Sequence, residues 1–259
     1  MFSRLWLWPN LLSLDAPLIA LLWQVLFVRC FHSRPPAGSS VLLAASVWLI
    51  YAADRTLDAW RGSERQPRHQ FYKRHWRAVV PLWIAALCAC GWLAYRYLPA
   101  REFDGGTLLL AGVVAYFIGV HALPQTLSRA GVKEAAVAVI FGIGTVLAAW
   151  PHLSTGGDVL AIVLFSALCW VNCVSIEDWE HHRPARGATY ALAVAIAVTA
   201  AVCLRGQRPV LGSAETASAL GLIVLDRMRG SLSRDAIRVL ADTALASPLL
   251  FLPFAGTVR

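Results

Sequence analysis

Charged side chains are scarce in this sequence. Of its 259 residues only 15% are Asp, Glu, Lys or Arg, whereas 58% are hydrophobic, and the mean hydropathy is +0.59. In soluble globular domains about a quarter of the residues are charged. The composition therefore excludes a soluble enzyme of this size.

The sequence also lacks a cysteine framework and any low-complexity tract. Its six cysteines are not spaced as a disulfide framework, and no CxxC motif of the kind that binds metals is present. No polar linker is long enough to separate two domains. The sequence therefore predicts a single domain over residues 1–259, without a separate water-soluble part.

Apolar runs take up most of the chain. A helix that spans a membrane needs about 20 mostly apolar residues, and nine blocks of about this size can be marked off. Most blocks lack the alternating polar positions of a transmembrane β-strand, which favours helices. The predicted fold is all-α, a polytopic membrane helical bundle with spans at residues 12–31, 40–60, 77–98, 105–123, 132–150, 157–178, 187–204, 210–226 and 235–255.

The net charge of +8 raises the question of nucleic-acid binding, but the basic residues are distributed as a topology signal. With the N-terminus inside, most Lys and Arg fall in the inner segments, above all in residues 61–77. The positive-inside rule then places the N-terminus in the cytoplasm. The sequence predicts a multi-pass protein, typical of a bacterial cytoplasmic membrane, with no nucleic-acid partner.

Acidic side chains cluster at the predicted inner ends of spans 2 and 6. Asp54 and Asp58 are four residues apart, so that they lie on one helix face. The second cluster consists of Glu177, Asp178 and Glu180. Carboxylates at a helix C-terminus oppose the macrodipole, at a cost of about 0.3 to 1 kcal/mol each. A compensating cation is therefore expected at both helix ends.

Two sources of that cation are open. Arg55 and Arg61 are close enough in sequence to form ordinary salt bridges with the first pair. The alternative is bound Mg²⁺, which carboxylates hold while the ion keeps several waters and bridges to phosphate oxygens. Two such clusters occur at the same predicted membrane face, which favours bound Mg²⁺ over ordinary salt bridges.

A strongly basic segment follows the first acidic pair. Residues 61–77 contain six Lys or Arg and two His. This segment is interpreted either as the positive-inside signal in contact with anionic lipid, or as a phosphate clamp, since guanidinium groups match phosphate oxygens bidentately. In the second case metal ligands and anion ligands share one cytoplasmic cavity.

These features together resemble the UbiA-type superfamily of intramembrane prenyltransferases. The resemblance rests on the Asp54-x-x-x-Asp58 pair at the inner end of span 2, on the basic segment after it, and on a second acidic patch four helices later. Residues 131–134, with Gly142 and Gly144 after them, also resemble the fifth helix of that family. By helix count and orientation the resemblance covers essentially the whole chain.

The resemblance implies transfer of an isoprenyl group from an allylic diphosphate to an aromatic or quinone-type acceptor, with Mg²⁺ as the cofactor. The implied catalytic residues and metal ligands are Asp54, Asp58, Glu177, Asp178 and Glu180. The implied diphosphate contacts come from Arg61, Arg65, Arg68, Lys73, Arg74 and Lys133. Aromatic faces attract cations, and the residues implied in shielding the allylic cation or in holding the acceptor are Tyr51, Tyr72, Asn172, Trp170 and Trp179.

Two positions depart from the family pattern. Ile50 stands where the family has Asn, four residues before the first Asp, and the second cluster contains no Asp pair at the usual spacing. The sequence therefore predicts a divergent member of the superfamily.

Two other function classes stay open. Residues 178–182 combine acids with two His, as in a membrane metalloenzyme that holds iron or zinc, although such bundle sites usually repeat a Glu-x-x-His motif. A non-catalytic or transport-type membrane protein with an acidic cation site is the other alternative.

Overall fold

The computed structural model describes residues 8–60, 67–122, 132–180 and 187–256, and every element in these ranges is helical. The side chains of residues 67–69, 121, 122 and 180 are not described. The α-helices are α1 (Trp8–Leu11), α2 (Asp15–Cys30), α3 (Ser39–Trp60), α4 (Pro67–Tyr97), α5 (Ala100–Ala122), α6 (Val132–Val146), α7 (Gly156–Glu180), α8 (Gly187–Cys203), α9 (Pro209–Met228), α10 (Arg234–Ala244) and α11 (Pro248–Phe251).

The all-α prediction is confirmed for the described residues, but the count of nine spans is not. Within the described ranges, seven helical segments are long and apolar enough to cross a membrane, which identifies the chain as membrane-embedded. Helices α2 and α8 occupy the predicted first and seventh spans but have only 16 and 17 residues. At 1.5 Å per residue they reach about 25 Å, less than the ~30 Å of a hydrocarbon core.

The start of the third predicted span needs correction. Helix α4 begins at Pro67, well before the predicted residue 77, so much of the basic segment is helical. Proline is favoured at the first position of a helix, where its missing N–H has no intrahelical partner in any case. The predicted last span, in contrast, matches a candidate membrane span at Arg234–Phe254, within which the chain turns at residues 245–247 between α10 and α11.

The chain divides into two compact units. Unit 1 contains Met1–Leu21 and Pro36–Phe103, and unit 2 contains Leu22–Pro35 and Asp104–Arg259. In unit 1, the Trp83 indole N–H of α4 donates to the Leu49 carbonyl of α3 at 2.8 Å. The Trp48 indole donates to the Leu12 carbonyl at 3.1 Å. These bonds satisfy indole N–H groups in a setting that offers few other acceptors.

Unit 2 is built around α7, which packs against α6, α8, α9 and α10. Its Phe165 is fully buried in an aromatic cluster. The ring of Trp23 lies 4.4 Å from that of Phe165, and the rings of Phe27 and Phe141 lie at 5.5 and 6.1 Å. Aromatic pairs at such distances contribute about 0.5 to 1.5 kcal/mol beyond area burial, so this cluster anchors residues of α2 and α6 to α7.

Polar contacts define the two ends of unit 2. At one end, which we call the Asp158 end, Asp158 binds Arg208 at 2.5 Å, and the Arg208 guanidinium donates to the Cys30 carbonyl at 3.0 Å. The start of α7, the start of α9 and the end of α2 therefore meet there. At the opposite end of α7, which we call the Glu177 end, lie Glu177 and the start of α6.

Candidate acidic sites

The first predicted cluster lies in the last two turns of α3, in unit 1. Asp54 and Asp58 are both partly buried, and the Oδ1 atom of Asp54 is shielded from solvent. Because α3 ends at Trp60, Asp58 lies in its last turn and Asp54 one turn earlier. The structure thus keeps the pair where the sequence placed it.

Arg55, which lies between these acids in the sequence, binds residues near the start of α2. Its side chain is buried, and its guanidinium donates to the Asn10 carbonyl and, at 2.8 Å, to the Ser13 hydroxyl. It also lies 3.7 Å from Asp15, which in turn accepts a 2.7 Å hydrogen bond from Asn10. Arg55 therefore forms an ion pair with the first residue of α2.

The aromatic candidates of unit 1 lie beside this arginine. The guanidinium of Arg55 is 5.8 Å from the centre of the Tyr51 ring. Tyr72 is buried, and its hydroxyl shares a 2.8 Å hydrogen bond with that of Ser13. The structure thus places Tyr72 in the core of unit 1, and its predicted role in cation shielding stays untested.

The basic candidates are only partly described. Lys73 and Arg74 lie on the exposed side of α4. Arg61 and Arg65 lie outside the described residues, as does the side chain of Arg68. The phosphate clamp of residues 61–77 therefore stays a prediction.

The second predicted cluster is divided between two faces of α7. Glu177 faces α6, where its carboxyl group lies within hydrogen-bonding distance of that of Glu134, next to Lys133. Asp178 is buried and faces α8 and α9. Successive residues of a helix are about 100° apart, so adjacent acids diverge. The side chain of Glu180 is not described, and His181 and His182 lie outside the described residues.

The contact between Glu134 and Glu177 was not foreseen from the sequence, in which Glu134 stands next to Lys133. Two carboxyl groups in contact repel each other when both are charged. Such a pair is therefore stable only if it shares a proton or binds a cation. The Oε2 atom of Glu134 is buried and has no hydrogen-bond partner among the described residues. The contact therefore offers an oxygen-rich position for a hard cation such as Mg²⁺.

Asp178 and Trp179 line a small cleft between α7, α8 and α9. The Trp179 indole donates to Asp226 at 2.9 Å, and Asp226 lies 3.6 Å from Arg229. Tyr190 also lines the cleft and accepts a 2.7 Å hydrogen bond from Arg227. Asp226 follows an apolar run near the end of α9, as the two predicted clusters do in their helices. The same sequence pattern could therefore have identified Asp226 as a candidate.

Several buried polar side chains of unit 2 have an atom without a hydrogen-bond partner in the described part of the chain, and Asn172 and Glu215 are two of them. The Oδ1 atom of Asn172, one of the predicted site residues, has no hydrogen bond. Glu215 in α9 is fully buried, and neither of its carboxyl oxygens is bonded. Sequence analysis missed Glu215, although a single acid in the middle of an apolar span is the signal that marks a functional residue in a membrane.

Within the described residues, no group of three or more His, Cys, Asp or Glu side chains is close enough to hold a metal ion. The first cluster belongs to unit 1 and the second to unit 2, so their shared site stays a prediction. Comparison of the chain with models of protein families, with curated proteins and with solved structures finds no match.

Proposed function

We propose that the chain is an intramembrane prenyltransferase, which transfers an isoprenyl group from an allylic diphosphate to an aromatic or quinone-type acceptor in the presence of Mg²⁺. The observation that carries the proposal is the contact between Glu134 and Glu177, next to Lys133. It adds to the Asp54-x-x-x-Asp58 pair a second carboxyl pair, also at the end of an apolar helix.

The donor atoms fit the cofactor. All the candidate ligands are carboxyl oxygens, and Mg²⁺ is commonly bound through one or two carboxylates plus substrate phosphate oxygens. When bound, the ion would neutralise charge that develops on the leaving diphosphate. Asp54 and Asp58 of unit 1 and the Glu134–Glu177 pair of unit 2 are the candidate ligands.

The remaining residues would bind and shield the substrate. Lys133, Lys73 and Arg74 would bind phosphate oxygens that are not taken up by the ion. Tyr51 and Trp179 would present aromatic faces to the allylic cation, which they stabilise through their ring quadrupoles. The prenyl tail would lie between apolar helices and would enter from the bilayer.

Purified protein in detergent tests this proposal. We expect Mg²⁺-dependent consumption of labelled geranyl, farnesyl or longer isoprenyl diphosphates, with rates at least about 100-fold lower in Asp54→Asn and Glu177→Gln, since each change removes electrostatic stabilisation of the transition state. Asp104→Asn, a change of an exposed acid in α5, is the matched control. Protein that neither binds nor consumes any isoprenyl diphosphate in Mg²⁺ contradicts the proposal.

A transport-type protein with an acidic cation site is the second candidate, and Glu215 favours it. A fully buried carboxyl group without a partner must be neutral or must bind a cation. Such groups in membranes commonly mark ion or proton pathways. Proteoliposomes that show H⁺ or Na⁺ flux in the intact protein and none in Glu215→Gln would support this candidate, and an equal flux in both would exclude a role for Glu215.

A further inference from the structure

A groove on unit 2 lies apart from every acidic site described above. It has a volume of about 510 Å³ and runs between the end of α8, the first half of α9 and α11. Its lining includes Arg205, Pro209, Ser213, Ala217, Leu220 and Phe251. The groove is therefore mostly apolar, with two hydroxyl side chains, and is basic at one end.

A close approach of two helices forms the floor of the groove. A Cβ atom placed on Gly212 of α9 would lie 2.6 Å from the carbonyl oxygen of Ala200 in α8, which only glycine permits. The hydroxyl of Thr216 is also satisfied, because it donates to the Ala197 carbonyl at 3.2 Å. The floor is thus formed by small side chains, and the Thr216 hydroxyl already has a hydrogen-bond partner.

The length of the groove matches one leaflet of a membrane. The lining of α9 extends from Pro209 to Leu220, and eleven steps of 1.5 Å amount to about 17 Å. Half of a hydrocarbon core of ~30 Å is about 15 Å. An acyl chain that begins at the helix end would therefore cover the groove.

The basic end of the groove has one arginine that is available. Arg205 is exposed, and among the described residues nothing forms a hydrogen bond or ion pair with it. Arg208, three residues later, is bound to Asp158 and to the Cys30 carbonyl. An anion at this end of the groove would therefore meet Arg205.

We propose that this groove binds an anionic phospholipid, with the lipid phosphate on Arg205 and one acyl chain along α9 from Ser213 to Leu220. The guanidinium of Arg205 favours a negatively charged headgroup, and the apolar groove has the length of one leaflet. Together they favour a negatively charged amphiphile. This site is independent of the proposed enzymatic activity.

Native mass spectrometry of the purified full chain tests the assignment, with phosphatidylglycerol and phosphatidylcholine as competing lipids. We expect the intact protein to retain phosphatidylglycerol at least about fivefold more than phosphatidylcholine, the factor expected from one cation near a membrane surface. Arg205→Gln should abolish this preference. Arg101→Gln, a change of another exposed arginine, should retain it.

A second pair of variants tests the apolar part of the groove. Ala217→Phe fills the groove and should reduce retention of both lipids, whereas Val202→Phe, at an exposed position outside the lining, should not. Equal phosphatidylglycerol retention in the intact protein and in Arg205→Gln would overturn the proposal. It would also be overturned if inorganic phosphate competed fully with the lipid, or if Ala217→Phe changed a dimer to a monomer, since the occupant would then be a free anion or a second copy of the chain.

Discussion

At the scale of single residues, the carboxyl groups of this protein differ in what surrounds them. Asp158 is fully buried but accepts hydrogen bonds from the backbone N–H groups of Ser154 and Thr155, at 2.8 and 3.0 Å, as well as from Arg208. Glu215 is equally buried and has no partner among the described residues. The first group stabilises the fold, whereas the second costs stability and therefore points to a function.

Replacement of Asp158 tests the first statement. We expect Asp158→Asn to lower the free energy of unfolding by about 1 to 3 kcal/mol, because it leaves the half-buried guanidinium of Arg208 without its ion-pair partner. The measurement is unfolding of the purified protein in mixed micelles, followed by circular dichroism. Asp104→Asn is the exposed control, and equal stability of both variants would show that the ion pair has no structural role.

Replacement of Glu215 should act in the opposite direction. We expect Glu215→Leu to raise the free energy of unfolding by about 1 to 3 kcal/mol, since burial of a polar group without a hydrogen bond costs that much. The same unfolding measurement applies. A large loss of stability in Glu215→Leu would instead indicate that a ligand or cation stabilises the carboxyl group in the intact protein.

At the scale of helices, close packing depends on glycine at particular positions. The Cβ clash at Gly212 involves a backbone carbonyl, which cannot move away without shifting α8. Gly112 in α5, in contrast, has no neighbouring atom within 4 Å of the Cβ position. The same substitution should thus have different effects in the two helices.

We expect Gly212→Ala to lower the thermal midpoint of unfolding, because the methyl group separates α8 from α9. Gly112→Ala should leave the midpoint unchanged or raise it slightly, since alanine is favoured over glycine in a helix by up to about 1 kcal/mol. Thermal unfolding in detergent, compared at equal protein concentration, measures both. Similar midpoints for the two variants would argue against the described approach of α8 and α9.

The apolar pattern located helices better than it located their ends. The sequence placed α3 and α7 within two residues of their observed limits, because backbone groups in lipid must be bonded internally and a long apolar run therefore has to be a helix. It missed the first part of α4, whose residues are polar. It also missed the break between α10 and α11, since no hydropathy change marks residues 245–247.

At the scale of the whole molecule, the number of helices that cross the membrane depends on the short helix α8. Contacts at the Asp158 end bring residues 154–158 and 204–208 together. If α7 crosses, α8 must then return to the same side in spite of its 17 residues. The short helix would be accommodated by local thinning of the bilayer.

Cysteine labelling in intact cells tests this topology. In a variant without native cysteines, we expect Thr155→Cys and Gly206→Cys to react with a maleimide that does not cross membranes, because both positions are predicted to face outward. Arg74→Cys should react only after the cells are permeabilised. Labelling of residues 155 and 206 from opposite sides would contradict the arrangement of α7 and α8.

The candidate site was predictable only as far as helix position determines it. That Asp54, Asp58 and Glu177 lie near helix ends followed from the apolar runs before them. The contact between Glu177 and Glu134 did not follow, since it depends on how α6 packs against α7. The commitment of Arg55 to Asp15 likewise depends on the packing of α3 against the start of α2.

The sequence by itself determined that this protein is a membrane-embedded helical protein, because only helices satisfy the backbone of such apolar runs in lipid. Tertiary structure alone decided which acid meets which partner. Successive side chains on one helix point in directions about 100° apart. The partner of each side chain therefore depends on which neighbouring helix packs on that side. For this reason Asp158 pairs with Arg208, Glu177 contacts the carboxyl group of Glu134, and Glu215 has no hydrogen-bond partner among the described residues.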